Sequence, residues 1–231
     1  MYHNKAFLTM MKEMKFLGKT LKINLRSDAD LSVFEEIFVD RDYKILDGII
    51  EKADSCIVDI GAHIGLFSLY VNCLNPDVKV VAFEPNEENF CLLKANLKMN
   101  HVNSVVARNL AIACSSGERK FYLSVDSHNH SLVKFSENLV ERKVNCVAFP
   151  DVIREKCDLV KMDAEGGEFE ILQNVSDDVF SKIRNFYIEY HEYSSEMIAE
   201  KLKSILEKAG YNVQRFPSHY DKRMGFLLAK K

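Results

Sequence analysis

From residue 56 onward, short apolar runs alternate with segments that have helical periodicity. The apolar runs have the length and the β-branched content of buried strands. They are CIVDI (56–60), KVVAF (79–83), SVVAR (104–108), DLVKMD (158–163) and NFYIEY (185–190). The helical segments cover residues 65–74, 86–100, 167–175 and 194–209. This alternation predicts an α/β fold built around a parallel sheet.

Two stretches depart from this alternation. The apolar runs 211–216 and 225–230 are separated by only eight residues, which include Pro217. No crossover helix fits into such a short connection, so we expect an antiparallel hairpin at the edge of the sheet. Within 117–150, apolar and polar residues alternate, which indicates an antiparallel excursion around a polar loop. The predicted fold class is therefore α/β, a doubly wound and mostly parallel sheet with a C-terminal antiparallel hairpin.

The beginning of the chain is less regular. Its patterns predict a short helix, a half-buried strand and a longer helix, over residues 7–17, 19–25 and 30–50. Asp28 or Asp30 is the expected N-cap of the longer helix. We interpret residues 1–55 as a covering layer or lid on a domain formed by residues 56–231.

Composition and charge narrow the class of protein. The chain has 231 residues, of which 28% are charged and 47% are hydrophobic, as is ordinary for a globular domain. Its 31 basic and 34 acidic residues give a net charge of −3, so a nucleic-acid partner is not expected. No run approaches the ~18 apolar residues of a membrane span. The six cysteines occur singly, so we expect reduced thiols in a cytoplasmic protein without membrane contact.

The sharpest motif is VDIGAHIG (58–65), where a predicted strand turns into a helix. Gly61 permits a tight turn and close approach of a ligand, and Gly65 opens the helix without a side chain. A dinucleotide fingerprint needs glycine at the positions of His63 and Leu66, whose side chains would crowd a pyrophosphate. The spacing therefore disfavours a nicotinamide cofactor and suits a ligand without phosphates, such as S-adenosylmethionine.

An acidic residue ends the next strand. Glu84 follows the glycine turn by about twenty residues, a spacing at which a carboxylate accepts the hydrogens of ribose hydroxyls. Pro85 favours an extended conformation at Glu84, and Asn86 is the expected N-cap of the following helix. The pairing of this acid with the glycine turn predicts a ribose contact.

Acidic residues also stand at the ends of two later strands. Asp163 and Glu165 follow the first of these strands, and Glu189 and His191 end the second. In open α/β sheets, ligands bind at the carboxyl ends of the strands. A histidine near an aspartate at this edge can accept a proton from a substrate hydroxyl, so His191 and Asp163 are both candidate bases.

Five segments, in this order, resemble the FkbM-type S-adenosylmethionine-dependent methyltransferases. They are VDIGAHIGLFSLY (58–70), VVAFEPNEENFCLLKANLKMN (80–100), NLAIA (109–113), DLVKMDAEGGEFEIL (158–172) and IEYHE (188–192). Departures from the family pattern lie at Ile60, His63, Ala164 and Gly167. Only His63 changes the chemistry, because it replaces an asparagine beside the expected cofactor carboxylate. The resemblance implies a class I, Rossmann-like methyltransferase fold with a seven-stranded sheet.

The resemblance also implies transfer of a methyl group, most often to a hydroxyl oxygen of a small molecule or saccharide. Cofactor contacts are implied at the glycine turn, at the ribose acid, beside the adenine and at the end of the later strand. These residues are Asp59, Gly61, Ala62, His63, Gly65, Glu84, Pro85, Asn109, Leu110, Ala111 and Asp163. The excursion at 117–150 and the N-terminal layer are expected to form the acceptor side.

Methyl transfer to an alcohol needs in-line alignment and removal of the hydroxyl proton. We expect His191 or Asp163 to be the base, with Glu165 and Glu189 orienting that base or the acceptor. A Mg²⁺ bound by Asp163, Glu189 and His191 is a further option, although no dedicated metal-loop pattern is present. Two alternatives from other classes stay open. One is a nicotinamide-dependent oxidoreductase on a similar sheet, and the other is a module that binds S-adenosylmethionine without catalysis.

Overall fold

The computed structural model describes residues 10–124, 130–133, 139–192, 198–218, 221 and 223–231. The strands are β1 (Met10–Phe16), β2 (Lys19–Leu25), β3 (Cys56–Ile60), β4 (Lys79–Phe83), β5 (Val105–Arg108), β6 (Ala111–Ala113), β7 (Gly117–Leu123), β8 (Val140–Ala148), β9 (Cys157–Met162), β10 (Ile183–His191), β11 (Asn212–Pro217) and β12 (Met224–Lys230). The helices are α1 (Asp28–Phe34), α2 (Asp47–Ile50), α3 (Leu66–Leu74), α4 (Glu87–Met99), α5 (Phe149–Val152), α6 (Glu168–Leu172), α7 (Asp177–Lys182) and α8 (Ala199–Lys208).

The main sheet contains seven strands in the order β11-β12-β10-β9-β3-β4-β5. The five strands from β10 to β5 are parallel. Strand β12 is antiparallel to β10, and β11 is antiparallel to β12. The predicted α/β fold with a C-terminal antiparallel hairpin is confirmed. The sheet order changes direction between β3 and β9, and open α/β sheets bind ligands in the crevice at such a point.

Helices cover both faces of this sheet. Neighbouring residues of β3 enter different cores: Ile57 packs with the N-terminal layer and α3, whereas Val58 packs with α6 and α8. Strand β9 is buried along its whole length. Burial on both faces explains why the core strands are nearly continuous apolar runs rather than alternating ones.

The N-terminal layer begins with a hairpin, and the helix predicted over 7–17 is wrong. Residues 10–16 form β1, which pairs antiparallel with β2, while residues 7–9 lie outside the described part of the chain. A tight turn at Leu17 and Gly18, with φ of 47° and 79°, joins the two strands. Burial alternates along MMKEMKF, with Lys12, Met14 and Phe16 on the more buried side, and pairing with β2 decides in favour of a strand.

The single helix predicted over 30–50 is also wrong, since this segment is broken. After α1 come a π-helical turn (Glu35–Asp40), the left-handed residue Arg41, a 3₁₀ turn (Asp42–Leu46) and α2. The N-cap of α1 is Ser27, whose side chain accepts a hydrogen bond from the Asp30 amide, so neither Asp28 nor Asp30 has that role. The Asp30 carboxylate is therefore directed to other partners.

The layer packs on one face of the domain through its aromatic residues. Phe16 lies 5.2 Å from Phe38 and 5.5 Å from Tyr70 of α3, between ring centroids. Phe34 lies 5.5 Å from Phe38. Burial of these rings fixes the layer against α3 and places its helical turns beside the carboxyl ends of the strands. A lid function for residues 1–55 stays a prediction.

The excursion forms a sheet of its own. Strands β7 and β8 are antiparallel, as predicted, and β6 adds to β8 in parallel. Strand β6 was missed because three residues are too few to show a period. The tip residues 125–129 and 134–138, and residues 193–197 at the start of the helix predicted over 194–209, lie outside the described residues.

A membrane-spanning segment is not found among the helices that the structure describes, since none of them is both long and apolar enough.

Candidate active site

A cavity of about 810 Å³ lies at the carboxyl ends of the parallel strands. Most of the residues expected to contact a cofactor line it, namely Gly61, Ala62, His63, Glu84, Pro85, Leu110, Ala111 and Asp163. Asp59, Gly65 and Asn109 are not among the residues that line it. Of the expected catalytic residues, Asp163, Glu165 and Glu189 line the cavity, whereas His191 is fully buried behind them.

The glycine loop (residues 61–65) connects β3 to α3, with left-handed backbone at Gly61, His63 and Gly65. Gly61 has φ of 72°, and a Cβ there would lie 1.9 Å from the carbonyl oxygen of Asp163. Gly65 has φ of 85°, and a Cβ there would lie 3.1 Å from Leu93 of α4. The Asp163 carbonyl thus leaves no room for a side chain at Gly61, and the left-handed backbone disfavours one at Gly65, beyond any demand for access by a ligand.

Glu84 is held at the cavity wall by amide donors. Its Oε2 accepts a hydrogen bond from the His63 backbone amide at 2.8 Å, and its Oε1 accepts one from Asn86 at 2.8 Å. Asn109 donates its side-chain amide to the Glu84 and Pro85 carbonyl oxygens, so its side chain fixes the backbone. Burial raises the pKa of Glu84 to about 7, although these amide donors act in the opposite direction.

The His63 side chain is directed toward the N-terminal layer. Its Nε2 lies 3.1 Å from Oδ1 of Asp30, which is fully buried. Burial alone would raise the pKa of Asp30, but His63 and Arg26 lower it to about 2. The Asp30 carboxylate is therefore ionised at neutral pH. Sequence reasoning missed Asp30 as a site residue, because its partner lies 33 positions away.

A buried lysine joins the two central strands. Lys161 of β9 lies opposite Asp59 of β3, and its Nζ is 3.7 Å from the Asp59 carboxylate. The same Nζ is 3.5 Å from Asp163 Oδ2 and donates to the Gly61 carbonyl oxygen at 2.9 Å. Burial would lower the pKa of Lys161, but the Asp163 and Asp59 carboxylates raise it. Lys161 is thus an ammonium that orients Asp163. Its position inside an apolar strand was the signal that sequence reasoning overlooked.

His191 is surrounded by carboxylates. Its Nε2 lies 3.3 Å from Glu165 and 3.9 Å from Glu189, and its Nδ1 lies 3.7 Å from Glu168. Burial would lower the pKa of His191, but these acids raise it well above the ordinary value. Its full burial keeps the imidazole away from an acceptor in the cavity, whereas Asp163 lines the cavity. Of the two candidate bases, the geometry therefore favours Asp163.

Carboxylates dominate the wall opposite Glu84, which we call the acidic wall: Glu36, Asp163, Glu165 and Glu189. Burial, followed by Asp163 and Asp42, raises the pKa of Glu36 to about 7. Burial, followed by Asp163, raises the pKa of Glu189 well above its ordinary value. Glu36 was missed in the sequence because it lies on the π-helical turn, where no regular period marks it.

Three of the residues at this edge have the chemistry of a cation site. Ligand atoms of Asp163, Glu165 and His191 all lie within 4.8 Å of one another. Carboxylate oxygens are the ligands that Mg²⁺ prefers. The grouping overlaps the expected set of Asp163, Glu189 and His191, but it contains Glu165 instead of Glu189.

This chain has a doubly wound sheet, a glycine loop after β3 and an acid after β4. Together these features place it in the class I, Rossmann-like methyltransferases. Residues 59–213 match the family model described as the methyltransferase FkbM domain, and the chain belongs to that family.

Curated relatives bear methyltransferase names. The chain is 29% identical to "Methyltransferase sdnD" of Sordaria araneosa, over 79% of this chain and 82% of that protein. It is 25% identical to "31-O-demethyl-FK506 methyltransferase FkbM" of Streptomyces tacrolimicus, over 78% of this chain and 81% of that protein.

A solved structure shares the fold. It is that of methyltransferase FkbM from Methylobacillus flagellatus KT, with a TM-score of 0.55 and 17% identity. The match covers 77% of this chain and 44% of that chain, so this chain spans less than half of that protein.

Proposed function

We propose that this chain uses S-adenosylmethionine to methylate a hydroxyl oxygen of a small molecule or saccharide. The observation that carries the proposal is Glu84, whose two carboxylate oxygens are each held by one backbone amide beside the glycine loop. Oε2 keeps lone-pair capacity for one ribose hydroxyl, and on Oε1 a second hydroxyl would replace the long 3.5 Å contact from the Asn89 side chain. The FkbM-family match supports the same reaction class.

The lining of the cavity fits this cofactor better than one with phosphates. Glu84 would hold the ribose, Leu110 and Ala111 would pack beside the adenine, and the glycine loop would pass along the amino-acid portion. A pyrophosphate needs nearby cations, and the Lys161 ammonium is already engaged with Asp59 and Asp163. A nicotinamide-dependent oxidoreductase is disfavoured for this reason and by the glycine spacing.

We assign the base to Asp163. When bound, S-adenosylmethionine supplies an electrophilic methyl group on a positively charged sulfur. Asp163 would accept the proton of the acceptor hydroxyl while the hydroxyl oxygen gains the methyl group. Lys161 would hold the Asp163 carboxylate in place. Glu165 and Glu189 would orient the acceptor, and His191 would fix Glu165 from behind. The alignment of acceptor, methyl group and sulfur is the chain's main contribution.

The acceptor side would be formed by the N-terminal layer together with the excursion. Glu36 and Tyr43 line the cavity from the layer, and Phe121, His130 and Leu132 line it from the excursion. This mixture of carboxylates and apolar side chains suits a neutral or cationic small molecule and repels the phosphates of a nucleic acid.

All six cysteines are free, in keeping with the expected reducing, cytoplasmic environment, which stays a prediction.

Assistance by Mg²⁺ is the alternative to a free Asp163 base. The close grouping of Asp163, Glu165 and His191 supports it, provided that His191 releases its proton on becoming a ligand. A bound cation would lower the pKa of the acceptor hydroxyl and engage Asp163 as a ligand. If activity is lost on chelation and restored by Mg²⁺, Asp163 is a ligand; unchanged activity leaves it as the base.

The proposed function can be tested with methyl-labelled S-adenosylmethionine. The purified protein is incubated with the labelled cofactor and fractionated small-molecule extracts, and labelled products are identified by mass spectrometry. We expect a labelled methyl ether on a small molecule. Cofactor binding without any labelled product in a broad screen would instead indicate a binding module, and absence of both would refute the proposal.

A further inference from the structure

A closed ring of polar contacts connects Glu84 to the N-terminal layer. The His63 backbone amide donates to Glu84 at 2.8 Å, and the His63 imidazole lies 3.1 Å from Asp30. Asp30 also accepts from the Arg26 amide at 2.7 Å and from its guanidinium at 3.3 Å. The same guanidinium donates to the Asn89 side-chain oxygen at 2.7 Å, and the Asn89 side-chain amide donates to Glu84 at 3.5 Å, which closes the ring.

The ring is buried and carries charge. Asp30 is 0% exposed, Asn89 is 2% exposed and Glu84 is 5% exposed. Hydrogen bonds between ionised groups are stronger than neutral ones, and burial protects them from water and salt. Loss of one member leaves a buried partner incompletely satisfied, so the remaining members must shift.

The ring acts on the conformation of the glycine loop. His63 has φ of 50°, a left-handed conformation that is unusual for a residue with a side chain. The backbone of this residue presents its amide to Glu84, while its imidazole is anchored on Asp30. Asp30 therefore helps to hold the loop in the one conformation that satisfies the Glu84 carboxylate.

We propose that Asp30 and Arg26, acting through His63 and Asn89, are positioning residues that set the affinity of the ribose-binding carboxylate Glu84. Docking of the N-terminal layer and cofactor binding are thereby coupled. This inference rests on the proposed function, because it takes Glu84 to be the ribose contact. Asp30 and Arg26 do not line the cavity, whereas Asn89 lines it beside Glu84.

The test is calorimetric titration of S-adenosylmethionine into the wild-type protein and into Asp30→Asn. We expect Asp30→Asn to weaken binding about threefold to tenfold, less than removal of Glu84 itself, because the carboxylate stays and only its positioning is lost. In steady-state assays the KM for the cofactor should rise while kcat changes by less than about threefold. Asp28→Asn is the matched control, because Asp28 lies in the same first turn of α1 but is exposed, and its affinity should equal that of the wild type.

A milder variant and a double mutant complete the test. His63→Gln keeps a polar side chain and removes the imidazole contact to Asp30, so it provides the same readout if Asp30→Asn does not fold. In the double variant, the two effects on affinity should be less than additive, because both break the same link.

Unchanged affinity in a folded Asp30→Asn protein, or fully additive effects, would overturn the inference while leaving the proposed function intact. If the wild-type protein does not bind the cofactor at all, the proposed function itself fails, and this inference fails with it.

Discussion

The two sides of the cavity satisfy their carboxylates in opposite ways. On the Glu84 side, backbone amides of His63 and Asn86 meet the carboxylate, and an ionic ring stands behind it. On the acidic wall, carboxylates face one another, and Glu36 and Glu189 have raised pKa values in part because Asp163 is near. The Glu84 side is thus arranged in advance to accept hydrogen bonds from a ligand. On the acidic wall, the carboxylates repel one another, and binding of an acceptor or a proton would reduce that repulsion.

This difference suggests a division of labour along the cavity. Groups that are already satisfied can bind a ligand without rearranging, so they contribute affinity. Carboxylates that crowd one another beside the cavity can take up a proton from an acceptor, so they contribute chemistry. We therefore expect substitutions on the two sides to separate cofactor affinity from the rate of methyl transfer.

The largest effect is expected at Asp163. Asp163→Asn should slow single-turnover methyl transfer by about 10²–10⁴-fold, because a positioned base contributes that much, while cofactor affinity changes far less. Rapid-quench assays and calorimetry measure the two quantities. Asp221→Asn, on the hairpin side of the cavity, is the control and should keep nearly the full rate.

The variant His191→Gln distinguishes the two candidate bases, His191 and Asp163. The imidazole is buried behind Glu165, so its loss should slow transfer less than the loss of Asp163 does. If His191→Gln is the slower variant, the base is the histidine, and the assignment to Asp163 is wrong.

The next effect is expected at Glu84. Glu84→Ala should weaken cofactor binding by about 1.5–3 kcal/mol, the range for hydrogen bonds to charged groups. Circular dichroism checks that the fold is intact, and Glu87→Ala, an exposed acid in the first turn of α4, is the matched control. Equal affinities of Glu84→Ala and the wild type would remove the ribose assignment.

A smaller effect is expected from pH. The pKa of Glu84 in the unbound protein is raised to about 7, so below that pH the carboxylate is mostly protonated and its ionised form, which accepts best, is scarce. Cofactor affinity should therefore rise between pH 6 and 8 by up to about tenfold in total. Most of this rise should occur below the pKa. In Glu84→Gln this rise should be absent, and its persistence there would assign the pH dependence to another group.

The smallest effect is expected at Leu132 of the excursion. Leu132→Ala removes apolar surface from the acceptor side, so the KM for the acceptor should rise by about three- to tenfold. Cofactor affinity should stay the same. Leu17→Ala, at the exposed turn between β1 and β2, is the control, and an equal change in both variants would count against the division of the cavity.

Features of the fold that depend on residues close together in the sequence could be predicted. The core strands, the hairpin and the N-cap Asn86 were identified because periodicity and capping are properties of neighbouring residues. The glycine loop and Glu84 were paired because a strand-helix-strand unit fixes their separation.

The missed features depend on contacts between distant segments. Strand β1 became a strand through its pairing with β2, which outweighed its ambiguous pattern. The opposition of Lys161 and Asp59 needs the register of β3 against β9, and the link from His63 to Asp30 needs the docked layer. Sequence patterns do not encode such registers directly, so these residues could be recognised only in the folded chain.

We propose that one cavity holds the cofactor ribose on Glu84 and directs the cofactor sulfur toward the acidic wall. A crystal structure with S-adenosylhomocysteine, the product of methyl transfer, tests it most directly. We predict that both ribose hydroxyls donate to the Glu84 carboxylate and that the sulfur lies on the side of Asp163. A ligand bound with its ribose away from Glu84, or with its sulfur turned away from the acidic wall, would contradict the account.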